Sequence, residues 1–202
     1  MFDFHTHRLL TPPGTGIVCL PQEVLLHPDR WLDSDGRLPH AAEGALYAAG
    51  IHPWWLAQPG FSYPSYEVSL RLLLQLPEVV QLGECGIDTL QGALPAADGS
   101  WQKCAPAPIE EQEAVLCRLV ALSESCRKPV TLHCVRAFDR ILRLHRLLKP
   151  QQQWTIHGFR GKPQLARQLL AAGIDLSFGP RRNEESYALT PPDRRHDETD
   201  AE

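Results

Sequence analysis

Imidazole and carboxylate side chains recur in this sequence directly after short apolar runs. The six residues are His5, His7, His52, Glu84, His133 and His157. These are the usual ligands of divalent transition metals, and the carboxyl ends of parallel strands meet at one face of a barrel. Each residue alone is more often a hydrogen-bonded core residue or a surface histidine. Six of them at five successive strand ends are hard to explain by packing and indicate a metal centre.

The spacing of His5 and His7 favours shared binding of one cation, because residues i and i+2 of a strand point to the same face. Glu84 follows the apolar run Val79–Leu82 and stands between Gly83 and Cys85. A carboxylate in that position needs a partner, since burying an unpaired charge is costly. Two or more cations would supply the partner, so the pattern predicts a centre with more than one metal ion.

Composition limits the classes of function that the chain can have. The protein has 202 residues, of which 43% are hydrophobic and 22% are charged, with a formal net charge of −4. This balance does not indicate nucleic-acid binding through bulk charge, so any anionic substrate must be held locally. The six cysteines contain no CxxC pair and predict neither a disulfide scaffold nor a zinc finger. No apolar run approaches the ~20 residues of a membrane span, and we expect a cytoplasmic protein without membrane contact.

Short apolar runs alternate with stretches of helical spacing along the whole chain. The predicted strands are Met1–Phe4, Ile17–Leu20, Ala45–Ile51, Val79–Leu82, Pro129–Leu132, Trp154–Ile156 and Ile174–Phe178, with an eighth at Arg195–Thr199. The predicted helices are Glu67–Leu76, Pro108–Arg127, Ala137–Leu148 and Pro163–Ala172. Apolar strands that alternate with helices are typical of a parallel sheet buried on both faces. We therefore expect an α/β protein, a small TIM-like (β/α) barrel in one domain over residues 1–202, with a long loop at Gln91–Pro108.

Six short motifs, in this order along the chain, resemble the TatD family of metal-dependent hydrolases, the TatD-related DNases. The motifs are Asp3-Phe4-His5-Thr6-His7, Gly50-Ile51-His52-Pro53, Gly83-Glu84-Cys85-Gly86-Ile87-Asp88, Pro129-Val130-Thr131-Leu132-His133-Cys134, Ile156-His157-Gly158-Phe159 and Glu198-Thr199-Asp200. No single motif is decisive, but their order and spacing cover nearly the whole chain. The resemblance implies a TIM-like barrel, a centre of one or two metal ions, and hydrolysis of phosphoester bonds in nucleic acid.

The resemblance also implies a role for each matching position. His5 and His7 bind a first metal ion, Glu84 bridges two ions, and His133 and His157 bind the second. Asp200 completes the first site and moves the proton, so that Glu84 and Asp200 are the expected catalytic carboxylates. Three further polar positions are expected to contact the substrate phosphate or to support the ligands: His52, Asp88 and Arg136.

The charges of this expected ligand set fit an anionic substrate. The imidazoles are neutral and the two carboxylates carry one negative charge each, so two divalent cations leave a surplus of positive charge. That surplus acidifies a bound water and neutralises a phosphodiester oxygen. Nitrogen and oxygen ligands without a thiolate suit Zn, Mn or Co, and also Mg where water completes its shell. We expect in-line attack of a metal-bound hydroxide on phosphorus, with single-stranded DNA or DNA ends as substrate.

The C-terminal segment departs from the family pattern. The family's last strand is apolar, whereas Arg195–Thr199 alternates charged and polar residues and the chain stops two residues after Asp200. The barrel could therefore be incomplete at its C-terminal end, and Asp200 could lie in a disordered tail. Two other functions stay open. One is a degenerate barrel that binds metal or nucleic acid without turnover, and the other is an amide or lactone hydrolase. Glu84 argues against the amidase, because amide-cleaving relatives commonly carry a modified Lys there.

Overall fold

The computed structural model describes residues 2–95 and 100–201. Its main feature is an eight-stranded sheet whose neighbouring strands are all parallel and follow one another in chain order. These strands are β1 (Asp3–Thr6), β2 (Gly16–Cys19), β3 (Leu46–Ala49), β4 (Val79–Asp88), β7 (Val130–Val135), β8 (Trp154–Ile156), β9 (Asp175–Phe178) and β10 (Arg195–Asp197). The sequence prediction of a TIM-like barrel is confirmed.

The two edge strands approach each other where β10 and the segment after it meet β1 and the residue that follows it. The backbone N–H of Asp200 donates to the carbonyl of His5 at 3.0 Å, and the N–H of His7 donates to the carbonyl of Ala201 at 2.8 Å. The rings of Phe4 and His196 stack with centroids 4.2 Å apart. The eighth strand therefore forms and the sheet is nearly closed into a barrel, with Asp200 hydrogen-bonded to the end of β1.

Tertiary partners explain why so polar a segment forms β10. Asp197 accepts a hydrogen bond from the Tyr187 hydroxyl at 3.0 Å, and the guanidinium of Arg195 lies over the Tyr187 ring, 4.2 Å from its centroid. Just before the strand, Arg194 Nε donates to Asp175 Oδ1 at 2.6 Å. Polar groups of β10 are thus paired with neighbouring elements instead of being buried without partners.

Helices cover the outside of the sheet. They are α1 (Gln22–Leu26), α2 (Tyr63–Leu73), α3 (Ile109–Cys126), α4 (Phe138–Leu148), α5 (Pro163–Ala171) and α6 (Glu184–Leu189). Short 3₁₀ segments add Pro28–Arg30, Ala41–Glu43, Pro53–Ala57 and Pro192–Arg194. The apolar strand residues are almost fully buried, with Leu82, Leu132 and Leu176 each 0% exposed. Within residues 2–95 and 100–201, no helix has the length and apolar character required to cross a membrane.

The segment Gln91–Pro108 was predicted to be one long loop, but its described residues include two strands. It contains an antiparallel hairpin of β5 (Gly92–Pro95) and β6 (Trp101–Cys104), which form a separate two-stranded sheet. The Gly, Ala and Pro content of this segment gave no strand signal. Trp101 projects from β6 with 47% of its surface exposed.

Candidate metal centre

The side chain of Glu84 is the hub of the predicted site. It lies within β4, where the pairing with β7 shifts register between Leu82 and Cys85, and irregularities of this kind re-aim side chains. Gly50, just after β3, permits the close approach, since a Cβ there would lie 2.7 Å from the Glu84 carbonyl oxygen. The carboxylate is buried, with 4% of the residue exposed.

One oxygen of Glu84 faces the two N-terminal histidines. Oε2 lies 3.3 Å from His5 Nε2 and 3.4 Å from His7 Nε2, and the two ring nitrogens are 3.3 Å apart. The carboxylate of Asp200 joins them from the barrel seam, with Oδ1 3.9 Å from His5 Nε2 and 3.8 Å from His7 Nε2. The structure thus brings together the four residues predicted for the first metal ion.

The other oxygen of Glu84 faces the second predicted pair. Oε1 lies 2.7 Å from His133 Nδ1 and 2.6 Å from His157 Nε2, and these two ring nitrogens are 3.4 Å apart. Glu84 therefore separates two groups of ligand atoms, one on each carboxylate oxygen. That is the arrangement predicted for a carboxylate that bridges two cations.

The convergence of these atoms fits divalent cations better than hydrogen bonds alone. Each neutral imidazole carries only one N–H. Where two ring nitrogens face each other and a carboxylate, there are too few protons for every close contact to be a hydrogen bond. Groups of three such side chains have all their ligand atoms within 4.8 Å of one another, including His5, Glu84 and His157, and His5, His7 and Asp200. Imidazole and carboxylate ligands at this spacing suit transition-metal ions. The residues present can hold metal.

Charge interactions in the cluster shift its pKa values in opposite directions. Burial alone would raise the pKa of Glu84, but the surrounding imidazoles of His157, His52 and His133 hold it well below its usual range. Burial alone would lower the pKa of His157, but Glu84 and Glu198 hold it well above its usual value. The opposite charges of Glu84 and His157 therefore stabilise each other inside the cluster.

His52 differs from the other imidazoles of the site. Its Nδ1 accepts a hydrogen bond from the backbone N–H of Trp54 at 3.1 Å, and burial lowers the pKa of the ring to about 4. A neutral ring that accepts at Nδ1 carries its proton at Nε2, which lies 3.3 Å from Glu84 Oε1. His52 therefore lies beside the bridging position, and its ligand atom is within 4.8 Å of those of Glu84 and His133.

Asp88, predicted near the substrate, lies behind His133. Its Oδ2 is 3.0 Å from His133 Nε2 and accepts from Trp54 Nε1 at 2.7 Å, while Oδ1 accepts from the N–H of Leu90 at 2.8 Å. Burial alone would raise the pKa of Asp88, but these hydrogen bonds lower it to about 2. A carboxylate on the far nitrogen of a ligating histidine fixes the ring and its tautomer.

Sequence reasoning assigned no role to Glu198 and Cys19. Glu198 is buried behind His157, with Oε1 3.6 Å from His157 Nδ1 and accepting from the N–H of Gly158 at 2.6 Å. Cys19 Sγ accepts from the N–H of Glu84 at 3.2 Å and lies within 4.8 Å of ligand atoms of His7 and Glu84. The motif Glu-Thr-Asp pointed to Glu198, whereas no sequence signal marked Cys19.

A cleft of about 480 Å³ opens above the centre. Among the described residues, its lining includes His7, Glu84, Trp54, Trp55, Trp101, His133, His157, Arg181 and Asp200. Arg136 is exposed beyond the end of β7 and is absent from that lining. The structure thus gathers the metal-ligand residues with His52 and Asp88, and leaves Arg136 outside the group.

Comparison with proteins of known sequence identifies relatives over much of the chain. The chain is 32% identical over 172 residues to a 3'-5' ssDNA/RNA exonuclease TatD from Rahnella sp. (strain Y9602), covering 76% of this chain and 56% of that protein. It is 30% identical over 175 residues to a protein of the same name from Pantoea vagans, covering 82% and 61%. The chain thus spans little more than half the length of these relatives.

Solved structures share the fold. YJJV, a TatD homologue from Escherichia coli K12, superposes with a TM-score of 0.67 at 22% identity, covering 99% of this chain and 78% of that one. A TatD-family hydrolase from Entamoeba histolytica gives a TM-score of 0.66 at 19% identity, covering 92% and 60%. A family model described as TatD related DNase matches residues 27–201. The chain therefore belongs to the TatD-related DNase family.

Proposed function

We propose that this protein is a divalent-metal-dependent hydrolase of phosphodiester bonds, a deoxyribonuclease or exonuclease acting on single-stranded nucleic acid or on its ends. The observation that carries the proposal is Glu84, a buried carboxylate with imidazole nitrogens 2.6–3.4 Å from its two oxygens. The names of the TatD exonuclease relatives support the substrate class. A buried cluster of this composition serves no purpose in packing that apolar residues would not serve better.

Two divalent ions would fit the two sides of Glu84. His5, His7 and Asp200 would hold one ion with Oε2, and His133 and His157 would hold the other with Oε1. When bound, the ions supply positive charge that acidifies water and neutralises phosphate oxygens. We propose Zn, Mn, Co or Mg, in keeping with the nitrogen and oxygen donors.

The chain's own groups contribute orientation and proton transfer. Asp200 keeps 32% of its side chain exposed at the mouth of the cleft, where its carboxylate can take a proton from an attacking water. His52 Nε2 lies 3.3 Å from Glu84 Oε1 and so restricts the orientation of that carboxylate. Indole rings of Trp54, Trp55 and Trp101 line the same cleft, where a flat nucleobase can stack.

The proposal also covers where the protein is found in the cell and how many domains it has. All six cysteines are free thiols, as expected for a protein kept in a reducing compartment. We propose a cytoplasmic enzyme in which residues 1–202 act as one barrel domain. Arg136 and Asp88 stay predictions as substrate contacts, since Asp88 faces His133 and Arg136 lies outside the cleft lining.

Metal analysis combined with digestion assays tests the proposed function. The protein loaded with Mn²⁺ or Zn²⁺ should bind close to two ions per chain and degrade single-stranded DNA, and a chelator should abolish both. Glu84→Gln should lose the metal and the activity, whereas Glu43→Gln, at an exposed glutamate outside the cluster, should keep both. Bound metal without turnover of DNA, RNA or a simple phosphodiester would refute the nuclease and favour a binding protein. Turnover of amides with untouched phosphoesters would favour an amidase.

A further inference from the structure

A second, smaller cavity lies beside the metal centre, on the side formed by the ends of β8 and β9. Its volume is about 110 Å³, and its lining consists of Gly158, Arg160, Gly179, Pro180, Arg181, Glu198, Thr199 and Asp200. The two glycines present no side chain that could fill the space. The cavity is therefore a recess lined by backbone, by two arginines and by two carboxylate residues, of which Glu198 accepts from the N–H of Gly158 and lies beside His157.

The two arginines of this recess differ from their neighbours in having no acidic partner. Arg182 lies 3.1 Å from Glu184, and Arg194 lies 2.6 Å from Asp175. Within the part of the chain that the structure describes, no carboxylate comes within ion-pair distance of Arg160 or Arg181, and both residues are exposed. Their positive charge is available to a ligand.

The recess is continuous with the cleft above the metal centre. Arg181 and Asp200 line both spaces, so the recess adjoins the cleft at Asp200, a predicted ligand of the first metal ion. Trp54 and Trp55 line the cleft from the 3₁₀ segment after β3, and Trp101 from β6 in the connection after β4, whereas the arginines follow β8 and β9. Three positions around the barrel separate β4 from β9, so aromatic and cationic groups lie on different sides of the mouth.

We propose that Arg160 and Arg181 bind a phosphate group next to the one that is hydrolysed. The inference rests on the proposed function, because it fixes how a strand lies across the same cleft. A nucleobase stacks on the tryptophan side, the scissile phosphate lies over the metal centre, and the adjacent phosphate enters the recess. Guanidinium groups suit this task, since their forked N–H donors match two phosphate oxygens.

The salt dependence of binding tests the proposal directly. Binding of a short single-stranded oligonucleotide to the metal-loaded protein is measured at several salt concentrations for the wild type, Arg160→Gln, Arg181→Gln and the double variant. Loss of a phosphate contact should weaken binding roughly tenfold and lower the slope of log affinity against log salt by about 0.7. Arg167→Gln, at an exposed arginine of α5, should match the wild type. Arg160→Lys should restore charge with only part of the affinity.

Two further ligands distinguish the sources of the phosphate. An oligonucleotide with one neutral methylphosphonate next to the cleavage position should bind the wild type more weakly and the double variant no more weakly than its natural counterpart. Inorganic phosphate that competes with the oligonucleotide in the wild type but not in the double variant would show that the recess also takes free phosphate.

The possible outcomes separate this inference from the proposed function. If the wild type degrades nucleic acid and the arginine variants bind with unchanged affinity and salt slope, the recess is not a phosphate site and the inference is overturned. If no nucleic acid is degraded but binding still depends on both arginines, the inference stands and the nuclease assignment fails. Thermal midpoints close to that of the wild type should show that the exposed substitutions leave folding intact.

Discussion

Glu198 Oε1 lies 3.6 Å from Nδ1 of His157. The other ring nitrogen of His157, Nε2, lies 2.6 Å from Glu84 Oε1 in the candidate metal centre. Glu198 Oε1 also accepts the backbone N–H of Gly158 at 2.6 Å, which fixes its position. Burial alone would raise the pKa of Glu198, but His157 holds it below its usual value. Glu198 is thus a charged support for His157, as Asp88 is for His133, so each imidazole on the Oε1 side has a carboxylate behind it.

The first prediction concerns Glu198→Gln. The amide oxygen can still accept from Gly158, but the negative charge behind His157 is lost, so the ring becomes a poorer ligand. Metal affinity should fall roughly 10- to 100-fold, as measured by competition with a chromophoric chelator. The thermal midpoint of the metal-free protein serves to confirm folding.

Glu185→Gln is the matched control, because Glu185 is an exposed residue of α6 away from the cluster. Its metal affinity should equal that of the wild type. Equal affinity in Glu198→Gln as well would mean that Glu198 stabilises only the loop at Gly158 and does not support His157.

The second prediction concerns Asp200→Asn. Asparagine keeps the shape and the seam hydrogen bonds of the backbone, but it cannot take a proton from water. Turnover of single-stranded DNA should fall by about 10²- to 10⁴-fold. Metal binding should persist, because His5, His7 and Glu84 stay in place. Unchanged turnover with full metal occupancy would remove Asp200 from the mechanism.

The sequence predicted those parts of the site that depend on strand ends alone. His5, Glu84, His133 and His157 each follow or interrupt an apolar run, and parallel strands align such positions without further information. The oxygen of Glu84 that each imidazole approaches was not readable from sequence, because it depends on the register shift between Leu82 and Cys85.

The last strand and the hairpin show why local patterns were insufficient elsewhere. β10 is stabilised by contacts of Asp197 and Arg195 with Tyr187, and such polar pairing leaves no hydrophobic period. The segment Gln91–Pro108 forms a hairpin although its composition is typical of a loop, and the partners of its strands are each other. Both elements depend on polar or backbone pairing, which a local hydrophobic pattern does not show.

The third prediction concerns metal removal and its dependence on pH. Divalent metal should raise the thermal midpoint, because an ion present at 100 times its dissociation constant adds about 2.7 kcal/mol to the free energy of unfolding. The ion and a proton compete for His157, whose pKa Glu84 and Glu198 hold well above its usual value although burial lowers it. A raised pKa stabilises the metal-free protein below the unfolded-state value of about 6.5, and this stabilisation disappears as pH rises through the folded-state pKa.

Metal binding requires the unprotonated ring. The metal-induced rise in thermal midpoint should therefore be larger at pH 8 than at pH 6. Differential scanning fluorimetry with and without chelator measures it. His133→Asn should abolish most of the rise at both pH values, whereas His40→Asn, at an exposed histidine that pairs with Glu43, should leave it unchanged. A rise that is larger at the lower pH would contradict the competition.

The fourth prediction concerns the barrel seam at Asp3. Its Oδ1 accepts the backbone N–H of Thr199 at 2.9 Å, and its Oδ2 accepts the Thr199 hydroxyl at 2.6 Å. Asp3→Ala removes both acceptors from the segment that carries Asp200, so the free energy of unfolding should fall by about 1–3 kcal/mol in urea titrations. Turnover should fall as well, because Asp200 follows Thr199 directly. Asp35→Ala, in an exposed turn, should change neither property. Lost stability with full turnover would show that β1, through the carbonyl of His5, suffices to place Asp200 without Asp3.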